Sequence, residues 1–177
     1  MLGGEAEQNK TCGLVMQPCG VYWKHCPEFI TELVQYIGTQ RVLEVFSGNG
    51  YLASLLNDNN VDIKPTSLFA GHDAHDLCMY YDVEELDAFD SVLKYHKDYD
   101  MLLLSWPTTT IRALYAVQSW SILTDKNFIF IGEVTDLEKR HFGGCATDEF
   151  FTDLKIVQEF ESYRGNYLEK AFVAQCK

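Results

Sequence analysis

The stretch RVLEVFSGNGYLASLL, from Arg41 to Leu56, joins an apolar run, a turn with two glycines and a helix-forming segment. The run VLEVF is typical of a buried strand, and YLASLL has the residue types and spacing of a helix. Gly48 and Gly50 permit unusual backbone angles and let a ligand approach the turn closely. Glu44 is an acid inside an apolar run, where a carboxylate needs partners, and amides of the following loop are expected to supply them. The stretch therefore predicts a strand, a turn and a helix, and the turn either binds a ligand or is only structural.

Composition and charge favour one globular domain and narrow the range of partners. The chain has 177 residues, of which 47% are apolar and 23% charged, and its formal net charge is −12. An acidic chain without a basic stripe is poorly suited to long nucleic acids or anionic membranes, which attract Lys and Arg. No apolar run reaches the roughly 18 residues of a transmembrane helix, and the start MLGGEAEQNK does not resemble a signal peptide. We therefore expect no membrane partner and disfavour nucleic acid.

The cysteines give an expectation about the cellular compartment. Six of them are scattered along the chain without a Cys-x-x-Cys pair, at positions 12, 19, 26, 78, 145 and 176. This pattern predicts reduced thiols and a cytoplasmic location rather than a disulfide framework. His72, His75 and Cys78 have spacing compatible with metal ligands, but a zinc site needs a complete tetrahedral set. We expect a polar loop there and no metal.

Helical and strand-like segments alternate along the chain. Strands are predicted at residues 41–46, 61–69, 81–88, 100–106, 127–132, 154–162 and 167–176, and helices at 27–37, 51–57, 89–97, 109–123 and 148–154. This order predicts a three-layer α/β fold with a doubly wound, mostly parallel seven-stranded sheet that ends in an antiparallel β-hairpin. Pro65 suggests an edge position or a bulge for the second strand. Residues 1–26 are expected to be an N-terminal segment, partly mobile or capping the site, and residues 27–177 a single domain.

Ligands of such sheets bind at the carboxyl ends of the strands, near the point where the strand order reverses. This rule places one rim of candidate residues at Phe46–Gly50, Phe69–Asp73, Asp87, Ser105–Thr108 and Glu133. Glu133 is expected to contact substrate or act as a base, with a structural hydrogen-bond acceptor as the alternative. The glycine-hinged loop that begins at His141 is expected to form a lid or a pocket wall. The segment Tyr22-Trp23-Lys-His25 is expected to fold over the site.

At this point the chain resembles the Rossmann-like class I S-adenosylmethionine-dependent methyltransferases, from about Pro27 to its end. Glu44-Val-Phe-Ser-Gly-Asn-Gly50 is similar to the family's first motif, in the version with Phe that several nucleic-acid methyltransferases have. Val83-Glu-Glu-Leu-Asp-Ala88 resembles the third-strand motif, whose acid reads the adenine amino group. Leu104-Ser-Trp-Pro-Thr108 resembles the fourth motif, which lines the methyl-transfer site.

The resemblance implies S-adenosyl-L-methionine as the cofactor and assigns roles to the rim residues. The implied cofactor-binding residues are Glu44, Phe46, Ser47, Gly48, Asn49, Gly50, Ser67, Asp73, Asp87 and Ala88. The implied catalytic residues are Ser105, Trp106 and Glu133, and the expected substrate-binding residues are Tyr22, Pro107, Thr108 and His141. Asp87 has a plainer alternative, because it belongs to an acidic patch that can be a solvated face.

Two departures from the family pattern keep alternatives open. No acid follows the second strand before Asp73, so Ser67 or Asp73 would have to bind the ribose, and the fourth motif has Trp106 before its single proline. Gly48-Asn-Gly-Tyr-Leu-Ala53 also satisfies the dinucleotide pattern of an NAD-dependent oxidoreductase, which however needs an acid about 20 residues further on. A non-catalytic module with the same fold is a third interpretation, and aminopropyl transfer a fourth. The expected acceptor is a small molecule or a protein side chain, and a nucleobase is the second choice.

Overall fold

The computed structural model describes residues 19–21, 23, 26–69 and 78–177. Tyr22, Asp73 and the two histidines of the possible metal motif lie outside these residues. The strands are β1 (Val42–Val45), β2 (Ile63–Ser67), β3 (Glu84–Glu85), β4 (Met101–Ser105), β5 (Phe128–Glu133), β6 (Leu154–Glu159) and β7 (Glu169–Cys176). The helices are α1 (Pro27–Ile37), α2 (Tyr51–Asp58), α3 (Ala88–Tyr95), α4 (Ile111–Thr124) and α5 (Asp148–Thr152). Each predicted element is confirmed, although the third strand shortens to two residues.

The strands form one seven-stranded sheet in the order β3-β2-β1-β4-β5-β7-β6. Neighbouring strands from β3 to β5 are parallel, and β7 runs antiparallel to both β5 and β6. The predicted mixed sheet with a closing hairpin is therefore confirmed. The chain moves outward from β1 to β3 and then returns to β4 on the other side of β1. This reversal opens a crevice at the carboxyl ends of β1 and β4.

Helices cover both faces of the sheet because the side chains of each strand alternate in direction. On one face α1 and α2 pack on a core that includes Phe29, Leu33, Leu56, Val42, Leu103 and Ile129. On the other face α3, α4 and α5 pack on a core that includes Val92, Trp120, Phe150, Leu43, Leu102 and Phe128. The three predicted layers are thus present, with β1 and β4 buried between two cores.

Pro65 does not mark an edge strand, since β2 lies between β1 and β3. The amide of Ser47 donates to the carbonyl of Thr66, so the backbone hydrogen-bonding groups of Thr66 point toward β1. Those of Pro65, one residue earlier, point to the opposite side, where β3 lies. The ladder to β3 starts only at Thr66. Because Pro65 precedes that ladder, its missing N–H removes no strand pairing.

Cys19 and Cys78 form a disulfide, with their Cα atoms 6.1 Å apart. The prediction that the cysteines are reduced thiols is therefore wrong for this pair, while Cys26, Cys145 and Cys176 are free. The two partners are 59 residues apart in sequence, so their spacing could not reveal that the fold brings them together. The cytoplasmic location stays a prediction, now without this support. Among the described helices, none combines the length and apolar character needed to cross a bilayer.

Two Leu→Ala variants test which leucines hold the two cores together. Leu103 is fully buried in the central strand β4, whereas Leu93 on α3 keeps 47% of its surface exposed. We expect Leu103→Ala to lower the free energy of unfolding by about 2–5 kcal/mol, because a cavity remains in a packed core. Leu93→Ala is the control and should cost less than about 1 kcal/mol. Urea denaturation measures both values, and equal losses would contradict the assignment of β4 to the centre of the sheet.

Candidate functional site

A cleft of about 740 Å³ opens at the carboxyl ends of β1 and β4. Its volume lies within the range of roughly 300–1,000 Å³ found for small-molecule sites. The walls come from the turn after β1, the ends of β2, β4 and β5, the first turns of α3 and α4, and residues 20, 21 and 23. Of the predicted rim, residues 46–49, Asp87, residues 105–108 and Glu133 line this concave surface, whereas Gly50 and Phe69 do not, and residues 70–73 lie outside the described part of the chain.

The turn after β1 needs its glycines for two different reasons. Gly48 and Gly50 have φ values of 56° and 77°, in the region that favours glycine. A Cβ on Gly50 would lie 2.8 Å from Cγ2 of Val83 and 2.9 Å from Cβ of Tyr81, so Gly50 packs against the chain behind the turn. The residues of the turn that line the cleft are Ser47, Gly48 and Asn49. Gly50 thus shapes the turn without forming part of the cleft wall.

Two aromatic residues occupy left-handed backbone positions at neighbouring strand ends. Phe46 follows β1 with φ 59°, and Trp106 follows β4 with φ 52°. A non-glycine residue in this region costs on the order of 1–2 kcal/mol, and such strain is concentrated at functional sites. The amide of Trp106 donates to the carbonyl of Ile131 at 2.7 Å, which holds the position. Both side chains line the cleft, and Trp106 Nε1 is buried without a hydrogen-bond partner among the described residues.

Glu44 is completely buried at the centre of β1, beneath the cleft wall rather than in it. Ser105 Oγ, at the end of β4, donates to Glu44 Oε1 at 2.6 Å. Oε2 has no partner among the described residues. Burial raises the pKa of Glu44 to about 7. The loop amides expected as partners are not among its contacts, and Ser105, which lines the cleft, takes their place.

Asp87 caps α3 and also lines the cleft. Its Oδ1 accepts from the amides of Phe89 at 2.9 Å and Asp90 at 3.4 Å, and from Nε of Arg112 at 3.1 Å. These contacts all use Oδ1, so Oδ2 retains capacity to accept from a ligand. Ala88, the next residue, lies in the same wall.

Arg112 lines the cleft although sequence reasoning missed it. It is the second residue of α4, and besides its bond to Asp87 its Nη2 lies 3.7 Å from Oδ2 of Asp90. A cation is unfavourable beside the positive end of a helix. An arginine two residues after the capping residue Thr110 was therefore a signal in the sequence that a carboxylate partner lies nearby.

Glu84, in the acidic patch near Asp87, serves the structure instead. Its carboxylate contacts Nζ of Lys64 at 2.8 Å and Nζ of Lys94 at 2.6 Å. Hydrogen bonds from these amines, and from the hydroxyl of Tyr95, lower the pKa of Glu84 to about 2. Glu84 thus joins β2, β3 and α3 and is absent from the cleft wall, unlike Asp87.

The opposite end of the cleft is anionic. Glu133 ends β5, lines the cleft and accepts from the amide of Gly144 at 2.6 Å through Oε2. It pairs in register with Glu169 of β7, and like charges opposite one another destabilise a sheet. No described lysine or arginine forms an ion pair with either carboxylate. Cys145, in the glycine-hinged loop predicted to form a lid or a pocket wall, lines the cleft here, and burial together with the two acids raises the pKa of its thiol to about 11.

The expected substrate-binding residues divide into two groups. Pro107 and Thr108 line the cleft, as does Ser67 at the end of β2. His141 is not in the wall, since its ring packs on Tyr167 at 5.1 Å between centroids and its backbone pairs with Asp136. The part of its loop that reaches the cleft is Gly144 and Cys145.

Comparisons with known proteins bear on the fold. No family model and no curated protein sequence matches the chain. The structure of a ribosomal protein L11 methylase from Lactobacillus delbrueckii subsp. bulgaricus is similar over 84% of this chain and 77% of its own, with 12% identity and a TM-score of 0.50. The CcbJ methyltransferase from Streptomyces caelestis is similar over 84% of this chain and 89% of its own, with 13% identity and a TM-score of 0.52. A mutant of MtNAS, solved in complex with S-adenosylmethionine, is similar over 85% of this chain and 63% of its own, with 11% identity and a TM-score of 0.55.

At such low identity the likeness concerns the fold. The chain has the Rossmann-like fold that these methyltransferases share, as its motifs implied. The roles of individual residues rest on the geometry of the cleft and stay predictions.

Glu44 should make stability depend on pH in a definite direction. Its pKa rises from an ordinary 4.5 to about 7 in the folded protein, so the folded state binds more protons than the unfolded chain between these values. The contribution of Glu44 to the free energy of unfolding is complete below about pH 4.5 and is lost as the pH rises through 7. The loss is on the order of 3 kcal/mol. We expect Glu44→Gln to lack this loss. Unfolding free energies measured from pH 4.5 to 8 test it, with Glu138→Gln on the exposed loop as a control that should follow the original protein.

Proposed function

We propose that the protein binds S-adenosyl-L-methionine in this cleft and transfers the methyl group to a small molecule or a protein side chain. One observation carries the proposal. A glycine turn, the helix-capping acid Asp87 and the aromatic residues Phe46 and Trp106 all line one cleft, at the point where the strand order reverses. Each has a partner in the chemistry of the ligand, which combines a sulfonium, an amino acid group, a ribose and an adenine.

Buried polar groups in the site fit such a ligand. Oε2 of Glu44 and Nε1 of Trp106 are buried without partners among the described residues, and unpaired buried polar groups are costly. Glu44 lies beneath the cleft wall, so its carboxylate would act on a ligand's ammonium group through Ser105, which lines the cleft, and the faces of Phe46 and Trp106 can attract a sulfonium. Asp87 can accept from the adenine amino group, and Ser47 to Asn49 would hold the ribose and methionine parts. Ser67 Oγ already accepts from the amide of Gly48 at 3.1 Å, so its hydroxyl is held at the mouth of the turn.

The reaction asks little of the protein beyond alignment. The bound cofactor supplies an already electrophilic methyl carbon, so the chain must place the acceptor in line with it and exclude water. Ser105, Trp106 and Pro107 stand at the end of β4, where an acceptor would meet the methyl group. Glu133 lies in the same cleft and can take a proton from an acceptor that is protonated before transfer.

Charge at the acceptor end favours neutral or cationic acceptors. Glu133 lines the cleft and pairs in strand register with Glu169, no described lysine or arginine neutralises either residue, and the chain as a whole carries a net charge of −12. An amine would relieve this repulsion, whereas an anionic acceptor would increase it. A nucleobase is the second candidate, because the first and fourth motifs resemble those of nucleic-acid methyltransferases.

Calorimetric titration with S-adenosylmethionine, S-adenosylhomocysteine and NAD tests the cofactor. We expect binding of both sulfur ligands and none of NAD. Binding of NAD alone would favour the oxidoreductase. Binding of the sulfur ligands without methyl transfer to any acceptor in a radiolabel screen would favour the non-catalytic module.

Asp87→Asn tests the adenine contact. Asparagine caps a helix as well as aspartate does, so α3 should remain intact while the charged acceptor is lost. We expect affinity for S-adenosylhomocysteine to fall about tenfold, the usual effect of losing a hydrogen bond to a charged group. Asp90→Asn on the same helix is the matched control and should keep the original affinity. Equal affinities in both variants would place the adenine elsewhere.

Glu133→Gln separates catalysis from cofactor binding. We expect the dissociation constant for S-adenosylhomocysteine to stay unchanged while kcat falls by roughly 10²-fold or more, because a positioned base is lost. Multiple-turnover transfer of a labelled methyl group at saturating substrate measures kcat, and Glu138→Gln, outside the cleft, is the control. An unchanged kcat would leave Glu133 with a structural role through its bond to Gly144.

A further inference from the structure

Residues 19–21 and 23, which we call the strap, are joined covalently to the segment 78–81. The link is the disulfide between Cys19 and Cys78, whose Cα atoms are 6.1 Å apart. Both segments lie against the glycine turn after β1. The disulfide therefore connects two pieces of chain that meet at the proposed cofactor end of the cleft.

Hydrogen bonds place the strap directly on the turn. The carbonyl of Cys19 accepts from Nδ2 of Asn49 at 3.0 Å and from the hydroxyl of Tyr80 at 3.0 Å. The amide of Tyr80 donates to the carbonyl of Asn49 at 2.9 Å. A Cβ on Gly20 would lie 2.7 Å from Asn49 Nδ2, which shows how closely the strap approaches. Asn49 thus contacts both segments that the disulfide joins.

The strap also forms part of the cleft wall. Gly20, Val21 and Trp23 line the cleft, and Val21 and Trp23 are only 6% and 8% exposed. The ring of Trp23 lies 6.0 Å from that of Tyr51 on α2, and Tyr51 lies 5.1 Å from Tyr80. Displacement of the strap would remove a wall next to the glycine turn and expose these aromatic side chains.

We propose that the Cys19–Cys78 disulfide is a redox-sensitive clamp that holds the strap on the glycine turn and so keeps the cofactor end of the cleft closed. A reducing dithiol breaks the Sγ–Sγ bond by supplying two electrons and two protons, leaves two thiols and itself becomes a disulfide. The strap is then held by non-covalent contacts alone. A ligand must order it again on binding, so ligand affinity falls when the clamp opens. The identity of that ligand rests on the proposed function, whereas the clamp itself does not.

Hydrogen–deuterium exchange tests the clamp without any ligand. The Tyr80 amide, bonded to Asn49, should exchange slowly in the oxidised protein and at least about tenfold faster after treatment with dithiothreitol. Amides of the central strand β4 are the internal reference and should not change. Peptide mapping after alkylation verifies that Cys19 and Cys78 are paired before reduction. Unchanged exchange at Tyr80 after complete reduction of the pair would overturn the clamp.

Titration with S-adenosylhomocysteine tests the consequence for binding. Reduction should weaken affinity by about tenfold or more, since ordering a single residue costs free energy of that size. The double variant Cys19→Ser, Cys78→Ser should have the affinity of the reduced protein, and the dithiol should not change that affinity. Cys176→Ser, at the end of β7, should respond like the original protein. Equal affinity in both redox states would overturn the proposed control of binding. If the ligand binds in neither state, the proposed function fails, and the exchange at Tyr80 still decides the clamp.

Discussion

The hydrogen bond between Ser105 and Glu44 joins β1 to β4 at the reversal of strand order, and the candidate site is built around it. A polar network extends from it through the sheet, because Thr66 Oγ1 donates to the Glu44 carbonyl and Ser91 Oγ of α3 contacts Thr66 Oγ1 at 2.8 Å. A buried carboxyl in a parallel sheet is costly, and one of its oxygens remains without a partner among the described residues. Because Ser105 lines the cleft and Glu44 lies beneath it, this cost is most simply explained by a ligand that binds above the pair.

The backbone next to the Ser105–Glu44 hydrogen bond also adopts unfavourable φ angles. Phe46 and Trp106 follow adjacent strands, and both combine a left-handed backbone position with a place in the cleft wall. The cost is local, and the two large cores on either face of the sheet compensate for it. Stability is thus concentrated in the layers, whereas the carboxyl edge of the sheet carries strain, an unpaired carboxyl oxygen and opposed acids. This division is what a binding site at the edge of a rigid scaffold requires.

The order of helices and strands was predictable from the sequence because it depends on local periodicity and on turn residues. The glycine turn and the rim followed from the same patterns, since parallel strands bring their carboxyl ends to one edge. What escaped prediction depends on contacts between residues distant in the chain. Neither the pairing of Cys19 with Cys78 nor the opposition of Glu133 and Glu169 has a signal in local spacing. For the same reason Glu44 was expected to meet loop amides, although its partner is Ser105 on another strand.

The two ends of the cleft are built by different means, and this difference bears on specificity. The end at the glycine turn is formed by residues 46–49, by the caps of α3 and α4 and by a covalently tethered strap, all of which fix a shape. The end at β5 is formed by side chains of Glu133 and of the loop that carries Cys145, which can change without disturbing the sheet. In the proposed function, the end at the glycine turn would hold the cofactor, and the end at β5 would hold the acceptor. In the proposed function, Glu133 and its register partner Glu169 would then be the part of this chain that selects the acceptor.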